Sequence, residues 1–583
     1  MTAALIAAAA SCGGSSVDGS LEGVVTGDFQ DHDADRTQDF GGFFIAFADA
    51  DGDPATPDGI LVDDARAGVD VAEGDRVRLT GRLIENDGER RFEADTVEIT
   101  GTADVPTAKL VLPLPDNSDP ERYLARFDGM RVTIAQSLTV AEHYDLERYG
   151  TLLLHAGGRA WQFTNRHRPD RRGFAEHQRA FARRSILLDD GRNEDNARPV
   201  RYRFAEVDDG GTRPLRIGDR MTALTGILFY GRDGESTDRK AYRLLPVAEP
   251  SIEARNERPA APPLRQGALR VAGINALNLF ATPDRGNNLC GPGASPCRGA
   301  DSPAEYDRQL ARLAATIRDS GAQVVGLMEV ENDRGRTLRD LVREVSAATA
   351  TDWRYIDSGV IGGDVIKVAL IYDADRIEPV NDFRLLDSTV DPDFVDTKNR
   401  PSLAQTFDDR ASGQRLTIVV NHLKSKGSDC EDVGDPDSGD GQGNCSRTRT
   451  RAAEALARWL ATDPTASGDD DVLIIGDLNA YLREDPLVAL EDAGFVNLLA
   501  RDEGVAAYTY VFRGRSGALD HALASPALAE DVLSAFAWHV NADEARIYDY
   551  NLDRGRDPSL FDGREPYRSS DHDPVIVDIA VGE

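Results

Sequence analysis

Lysine is nearly absent: only six of the 67 basic residues in this 583-residue chain are Lys, and the rest are Arg. Low lysine beside 101 acidic residues fits a salt-tolerant lifestyle or a G+C-rich genome, and composition does not separate the two. Net positive charge is missing as well. At −34 the surface repels nucleic acid, membranes and other polyanions at long range, so a phosphate substrate must be met by a local device, most obviously a metal ion. No run of 18 apolar residues occurs, which excludes a transmembrane helix. Repeats of solenoid period are also lacking. With 40% hydrophobic and 29% charged residues the chain is neither disordered nor fibrous, and its length predicts three or four domains at roughly 150 residues each.

Cysteine is scarce too. Four of the five Cys form two close pairs, Cys290/Cys297 and Cys430/Cys445, in loops rich in Gly, Asp and Asn. Neither pair has the CxxC spacing of a zinc site. They read as two short-loop disulfides of an exported protein, with free buried thiols as the alternative. The fifth, Cys12, follows the small apolar stretch Leu5–Ala10. The sequence Ala9-Ala10-Ser11-Cys12 resembles the end of a bacterial lipoprotein signal, which makes Cys12 a lipidation candidate. It departs from that pattern in having no Lys or Arg before the apolar stretch and Ala9 in place of the usual Leu. The expected location is extracellular or on the outer-membrane surface, free or anchored through Cys12.

Beyond the signal-like segment, residues 1–16, the chain divides by pattern. Residues 17–105 hold short β-rich runs (Leu21–Val25, Gly42–Phe47, Arg76–Gly81, Thr96–Ile99) separated by Gly, Asp and Pro, which suits a small barrel of the OB kind. Asp49, Asp51 and Asp53 look like half a calcium loop, but no closing Glu follows, and a solvated acidic turn is the better reading. Residues 106–255 are β-rich again and contain a basic island, Asn165–Arg184, which is either a solvated loop or a nucleic-acid contact. Residues 256–265 form a linker stiffened by Pro262-Pro263. From 266 to 583 strands alternate with helices, the mark of an α/β layered domain. Ser302-Pro303-Ala304-Glu305 is a capping box opening a helix that Gly321 ends.

The chemistry lies where the strands of this last region end. The apolar runs 269–274 and 324–328 meet Asn275 and Glu329, and the runs 416–420 and 472–475 meet Asn421-His422 and Gly476-Asp477-Leu478-Asn479. Leu519-Asp520-His521 and Ser570-Asp571-His572-Asp573-Pro574 complete the series. A single polar residue after a strand is usually a turn residue. Six such constellations sharing one rim would converge on one pocket able to hold a hard cation and handle a proton.

These motifs, with Leu327-Met328-Glu329-Val330-Glu331-Asn332 and Asn421-His422-Leu423-Lys424-Ser425-Lys426, resemble the endonuclease/exonuclease/phosphatase superfamily. Asn399-Arg400-Pro401, Gly441–Cys445, Glu484-Asp485-Pro486 and Trp538–Glu544 resemble its bacterial extracellular nuclease branch, the ExeM-like enzymes. Ile274 stands where that branch usually has Phe.

The resemblance implies an α/β two-sheet sandwich flanked by helices, preceded by the β-rich OB-like domains. It implies divalent-metal hydrolysis of phosphodiesters in extracellular DNA, or in RNA, with Mg²⁺ first and Mn²⁺ or Ca²⁺ as alternatives. A phosphodiesterase of the same superfamily acting on lipid or nucleotide phosphodiesters is the rival reading. By resemblance, Glu329 is the principal metal ligand, aided by Asn275 and Asp571. Asp477 and Asn479 position water and phosphate, and His572 pairs with Asp520 as base or phosphate electrophile. His422 protonates or stabilises the leaving oxygen, with Asp364 the nominated partner. Lys424, Lys426 and Asn278 are expected to bind substrate, and Arg447, Arg449 and Arg451 are further bases near the site. His521 and His539 are expected to be structural.

Overall fold

Alternating burial shapes the first strands of the chain. In the computed structural model, which describes residues 17–30, 40–48, 51–86, 88–232, 236–286 and 288–580, the strands Val17–Phe29, Gly42–Phe47, Gly59–Asp63, Asp75–Asn86 and Glu89–Thr102 close into a five-stranded barrel. Inward residues such as Leu21, Val25, Phe43, Ile45, Val62 and Leu79 fill it, as a period of two requires. The third strand runs parallel to the fifth, with Val62 opposite Phe92. Cys12 and Asp49 lie outside the described residues. Asp51 and Asp53 sit in an exposed turn whose carboxylates accept hydrogen bonds from the turn's own backbone.

An eleven-stranded mixed sheet follows, and Ile227, Phe229 and Leu245 from it pack with Phe29, Phe44 and Leu61 of the barrel. The compact unit so formed comprises the described residues from Val17 to Ala160 together with those of His177–Asn256. Trp161–Glu176 leaves this unit and joins the second one, Glu257–Glu583. The basic island Asn165–Arg184 is therefore divided at Glu176 between the two units.

The second unit has two six-stranded sheets. One is ordered Trp353–Tyr355, Ile366–Asp373, Val324–Glu331, Ala268–Leu279, Val575–Ala580 and Val532–Ala537; the other Ile377–Leu386, Ser402–Asp409, Arg415–His422, Val472–Asp477, Asp520–Ala524 and Val496–Asn497. Their inner faces share one core, with Val271, Val324, Met328 and Val577 meeting Ile418, Val420, Leu473 and Ile475. Gly326 belongs where they meet, since a Cβ there would come within 2.5 Å of Ile475. Helices Pro303–Ser320 and Arg336–Thr349 pack outside the first sheet, and Ser446–Leu460 and Asp485–Asp492 outside the second. This is an α/β sandwich. Ser302 caps its helix by accepting from the Glu305 N–H at 3.3 Å, and Gly321 ends it at φ 67°. Glu305 reaches back to the Asp301 N–H at 2.8 Å, one residue beyond the position a capping box requires.

The expected linker is docked, not free. Arg270, buried in an ion pair with Asp578, donates to the carbonyls of Pro262 and Pro263, and Trp538 donates to that of Ala260. Disulfides join Cys290 to Cys297 and Cys430 to Cys445. Among the described residues no helix is long and apolar enough to cross a membrane.

Candidate active site

Strand register assembles the site. In the second sheet His422 lies opposite Asp477 on a parallel neighbour, and Asp477 lies opposite Asp520 on an antiparallel one. Three functional side chains thus stand abreast at one end of the sheet. In the first sheet Asn275 lies opposite Met328, and the register then slips on both sides of Glu329. That irregularity holds Glu329 at φ 60° and its neighbours Leu277 and Asn278 at φ 51° and 50°. Left-handed backbone in non-glycine residues is strained, and a strand irregularity re-aims the side chain it carries. The Asn278 N–H donates to the Glu329 carboxylate at 3.0 Å, fixing that aim. Asp571 and His572 precede the neighbouring strand Val575–Ala580.

Short contacts knit the rim. Nδ1 of His572 is 2.7 Å from the Asp520 carboxylate, which also accepts from the Thr509 hydroxyl at 2.7 Å, and Tyr510 stacks on the His572 ring at 4.5 Å. The Asp477 carboxylate accepts from the Asn479 N–H at 2.8 Å and is approached by the Asn275 amide at 3.5 Å and by Nε2 of His422 at 3.6 Å. Nδ1 of His422, Oδ1 of Asp520 and Oδ1 of Asn278 are buried without a protein partner. Buried polar atoms left without a partner are what a substrate or ion site offers.

Electrostatics separate the two histidines. Burial opposes charge on His572, but Asp520, Asp571 and Asp477 outweigh it and hold the imidazole well above 6.5, so it stays cationic. His422 is pushed well below 6.5 by burial and by Arg400, His572, Arg298 and Lys424, so it is neutral. Burial and Asp520 raise Asp477 to about 7. Burial and Asp571 raise Glu329. Carboxylates crowded with too little positive charge suit a hard cation. Among the described residues Asp477, Asp520 and His572 offer ligand atoms that all lie within 4.8 Å of one another, and Glu329 feels the charge of Asp571 and a hydrogen bond from Asn275. The His572–Asp520 hydrogen bond already holds the former group together.

Other expected residues take structural roles. Lys426 gives its ammonium to the buried Glu484, at 2.5 and 2.6 Å, and lies over the Tyr481 ring, so its expected phosphate contact is replaced by a buried ion pair. Arg449 is buried, donating to the carbonyls of Lys424, Gln442 and Asn444, and Arg447 donates to that of Gly434. Asp364 pairs with Arg400 at 2.9 Å and not with His422. His521 meets the Ala480 carbonyl at 2.8 Å and His539 meets Asp573 at 2.9 Å. Lys424 is half-buried and belongs, with Arg298 and Arg400, to the cationic group that acts on His422. Sequence reading gave no role to Arg298, Thr509 or Tyr510. The loop at Arg298 and the short stretch at Thr509-Tyr510, which opens the strand Tyr510–Phe512, have no periodic or motif signal.

Residues 287–572 match the model of the endonuclease/exonuclease/phosphatase family and form a domain of that family. Asn275 lies just outside the matched segment, although its strand is central to the first sheet. No curated protein matches the chain. Among solved structures, an endonuclease/exonuclease/phosphatase family protein from Bacteroides thetaiotaomicron is 16% identical with a TM-score of 0.35, over 54% of this chain and 94% of that one. The human Nocturnin catalytic domain with bound sulfate anion is 15% identical at 0.34, over 55% and 96%. An AP endonuclease from Archaeoglobus fulgidus is 14% identical at 0.31, over 54% and 100%.

Proposed function

From the premise that residues 287–572 are an endonuclease/exonuclease/phosphatase domain, we propose that this protein is a secreted or surface-tethered, divalent-metal-dependent nuclease that hydrolyses phosphodiester bonds of extracellular DNA. The observation that carries the reading is the rim itself, where a cationic His572 locked to Asp520 faces a neutral His422 and an Asp477 whose carboxyl is raised by burial and by Asp520.

A phosphodiester anion resists attack until its charge is neutralised. The imidazolium of His572, fixed by Asp520 and covered on one face by Tyr510, meets a non-bridging phosphate oxygen. Asp477 is poised near neutrality to accept the proton of attacking water, and Asn479, oriented by its hydrogen bond to the Leu423 carbonyl, flanks it. Neutral His422 hydrogen-bonds the leaving oxygen and, passing on the proton that Asp477, 3.6 Å away, has accepted, lets it depart as an alcohol. Arg298, Arg400 and Lys424 supply the local positive field that the chain as a whole lacks, and Asn278 offers its open amide oxygen to the sugar or base. Glu329, Asn275 and Asp571 would hold the metal, Mg²⁺ first among the candidates. Once bound, it would supply Lewis-acid stabilisation of charge on the phosphate.

The two disulfides and the lipoprotein-like sequence at Cys12 support export and a lipid anchor. The barrel's strand order, with its parallel third and fifth strands, supports an OB-like reading of residues 17–105, and the motifs Asn399-Arg400-Pro401, Gly441–Cys445 and Trp538–Glu544 support the ExeM-like one. Product analysis on plasmid DNA, RNA and phospholipid vesicles tests the substrate class. Cleavage of nucleic acid with lipid untouched is expected. Headgroup release with intact nucleic acid would replace this reading with the lipid phosphodiesterase.

A further inference from the structure

The chain leaves its first compact unit at Ala160, contributes Trp161–Glu176 to the second, and returns at His177. Besides bonding Glu484 through Thr164 and Asp440 through Asp170, the inserted segment is bonded to the segment 505–518. The Gln162 N–H donates to the Ser516 carbonyl at 2.9 Å, and its side-chain amide donates to the carbonyls of Phe512 and Arg515 at 2.9 and 3.2 Å. Asn165 is wholly buried. Its Nδ2 donates to the carbonyls of Val505 and Ala507 at 3.2 and 3.0 Å, while its Oδ1 accepts from the Ala518 N–H at 3.0 Å. One carboxamide therefore bridges both stems of the segment 505–518.

Those stems lead into the site. Two residues beyond Ala507 stands Thr509, whose hydroxyl donates to Asp520 at 2.7 Å and accepts from the N–H groups of Leu519 and Asp520 at 3.0 and 3.1 Å. The Thr509 carbonyl accepts from the Asp573 N–H at 2.8 Å, tying the same stem to the residue after His572. Two residues beyond Ala518 stands Asp520 itself. Tyr510, between the Gln162 and Asn165 attachments, stacks on His572.

We propose that Asn165, with Gln162 beside it, is a positioning residue for the Asp520–His572 pair: the inserted segment fixes the spacing of the 505–518 stems and so the placement of Thr509, Tyr510 and Asp520 against His572. Only a carboxamide serves both stems, because it presents donors and an acceptor from one planar group. A carboxylate there would face two carbonyl oxygens, and a methyl group would leave three backbone groups without their partner.

The inference rests on the hydrolase reading. An inactive wild-type chain would sink that reading, whereas an active wild type with unaltered variants would sink this inference alone. The test is kinetics on the full chain, wild type against Asn165→Ala, Gln162→Ala, Thr509→Val and the Asn165→Ala/Thr509→Val double variant, with circular dichroism showing which variants are folded. Misplacement of reacting groups by about an ångström costs on the order of 10²-fold. Asn165→Ala is therefore expected to lower kcat by roughly 10- to 100-fold with KM within about threefold of wild type. Its effect and that of Thr509→Val should combine to less than their product, because both act through Asp520. If Asn165→Ala fails to fold, Gln162→Ala is read by the same split between kcat and KM. A folded variant with kcat within about twofold of wild type, or two effects that simply multiply, overturns the assignment.

Discussion

Glu329 and Glu331 stand two residues apart on one strand and differ in what surrounds them. Glu331 is buried and accepts hydrogen bonds from the Thr282 N–H and the Thr337 hydroxyl. Glu329 sits at the strand irregularity with Asp571 near it. Glu329→Gln should therefore lower turnover by at least about 100-fold at limiting Mg²⁺ while leaving the melting temperature within a few degrees, because a ligand charge is lost from a site with few ligands. Glu331→Gln should do the reverse, costing about 1–3 kcal/mol of stability with turnover of the folded fraction retained. Melting curves and steady-state rates on the two variants decide it. The same scale carries a pH effect. The folded pKa of His422 lies well below its unfolded value of 6.5, so as pH falls below 6.5 the unfolded chain takes up a proton that folded His422 does not. Stability is thus lost on the acid side, with a slope of up to about 1.4 kcal/mol per pH unit. His572 has the opposite sign: its raised pKa stabilises fully below 6.5 and is lost only as pH rises through the folded value. In urea melts with EDTA at pH 5 and 6.5, His422→Gln should lose less stability across that interval than wild type does. Equal losses would contradict the burial of a neutral imidazole.

At the scale of elements, Lys426 illustrates what sequence conveys and what it does not. Its place just beyond the His422 strand made it a natural phosphate ligand, but its ammonium is taken by Glu484, 58 residues later and completely buried. A pair of that separation leaves no local pattern. Burial lowers Lys426 to about 8 despite its partner, and removing the lysine strands a buried carboxylate. Lys426→Ala should therefore cost about 3–5 kcal/mol, and Lys426→Met with Glu484→Gln far less. Chemical denaturation of both measures this, and KM of the folded fractions should match wild type. The strand-end motifs, by contrast, were legible because apolar runs set the strands and one polar group ended each. The stagger that brought their ends to one rim then followed from register. Asn165 was not legible at all, since it acts on Ala518 across 353 residues from within a stretch that reads as basic and solvated.

At the scale of the molecule, the charge of −34 sets how substrate arrives. Long-range repulsion opposes capture of a polyanion, and the cationic group near His422 is its local exception. Raising salt toward physiological strength shortens the reach of that repulsion to about 8–10 Å. Activity should consequently peak at or above roughly physiological ionic strength, where a basic nuclease would lose binding steadily. Lys424→Ala should raise KM for DNA several-fold with kcat little changed. A monotonic decline in activity from very low salt upward, with KM of Lys424→Ala at the wild-type value, would contradict this mode of capture. The most direct measurement is cleavage of plasmid DNA by the purified chain before EDTA, after EDTA and after Mg²⁺ is restored, run in parallel with His572→Ala. The expected result is cleavage that EDTA abolishes and Mg²⁺ restores in the wild type, with the variant inactive throughout. Cleavage that persists in EDTA, or a variant as active as wild type, would contradict a metal-dependent hydrolytic site at this rim.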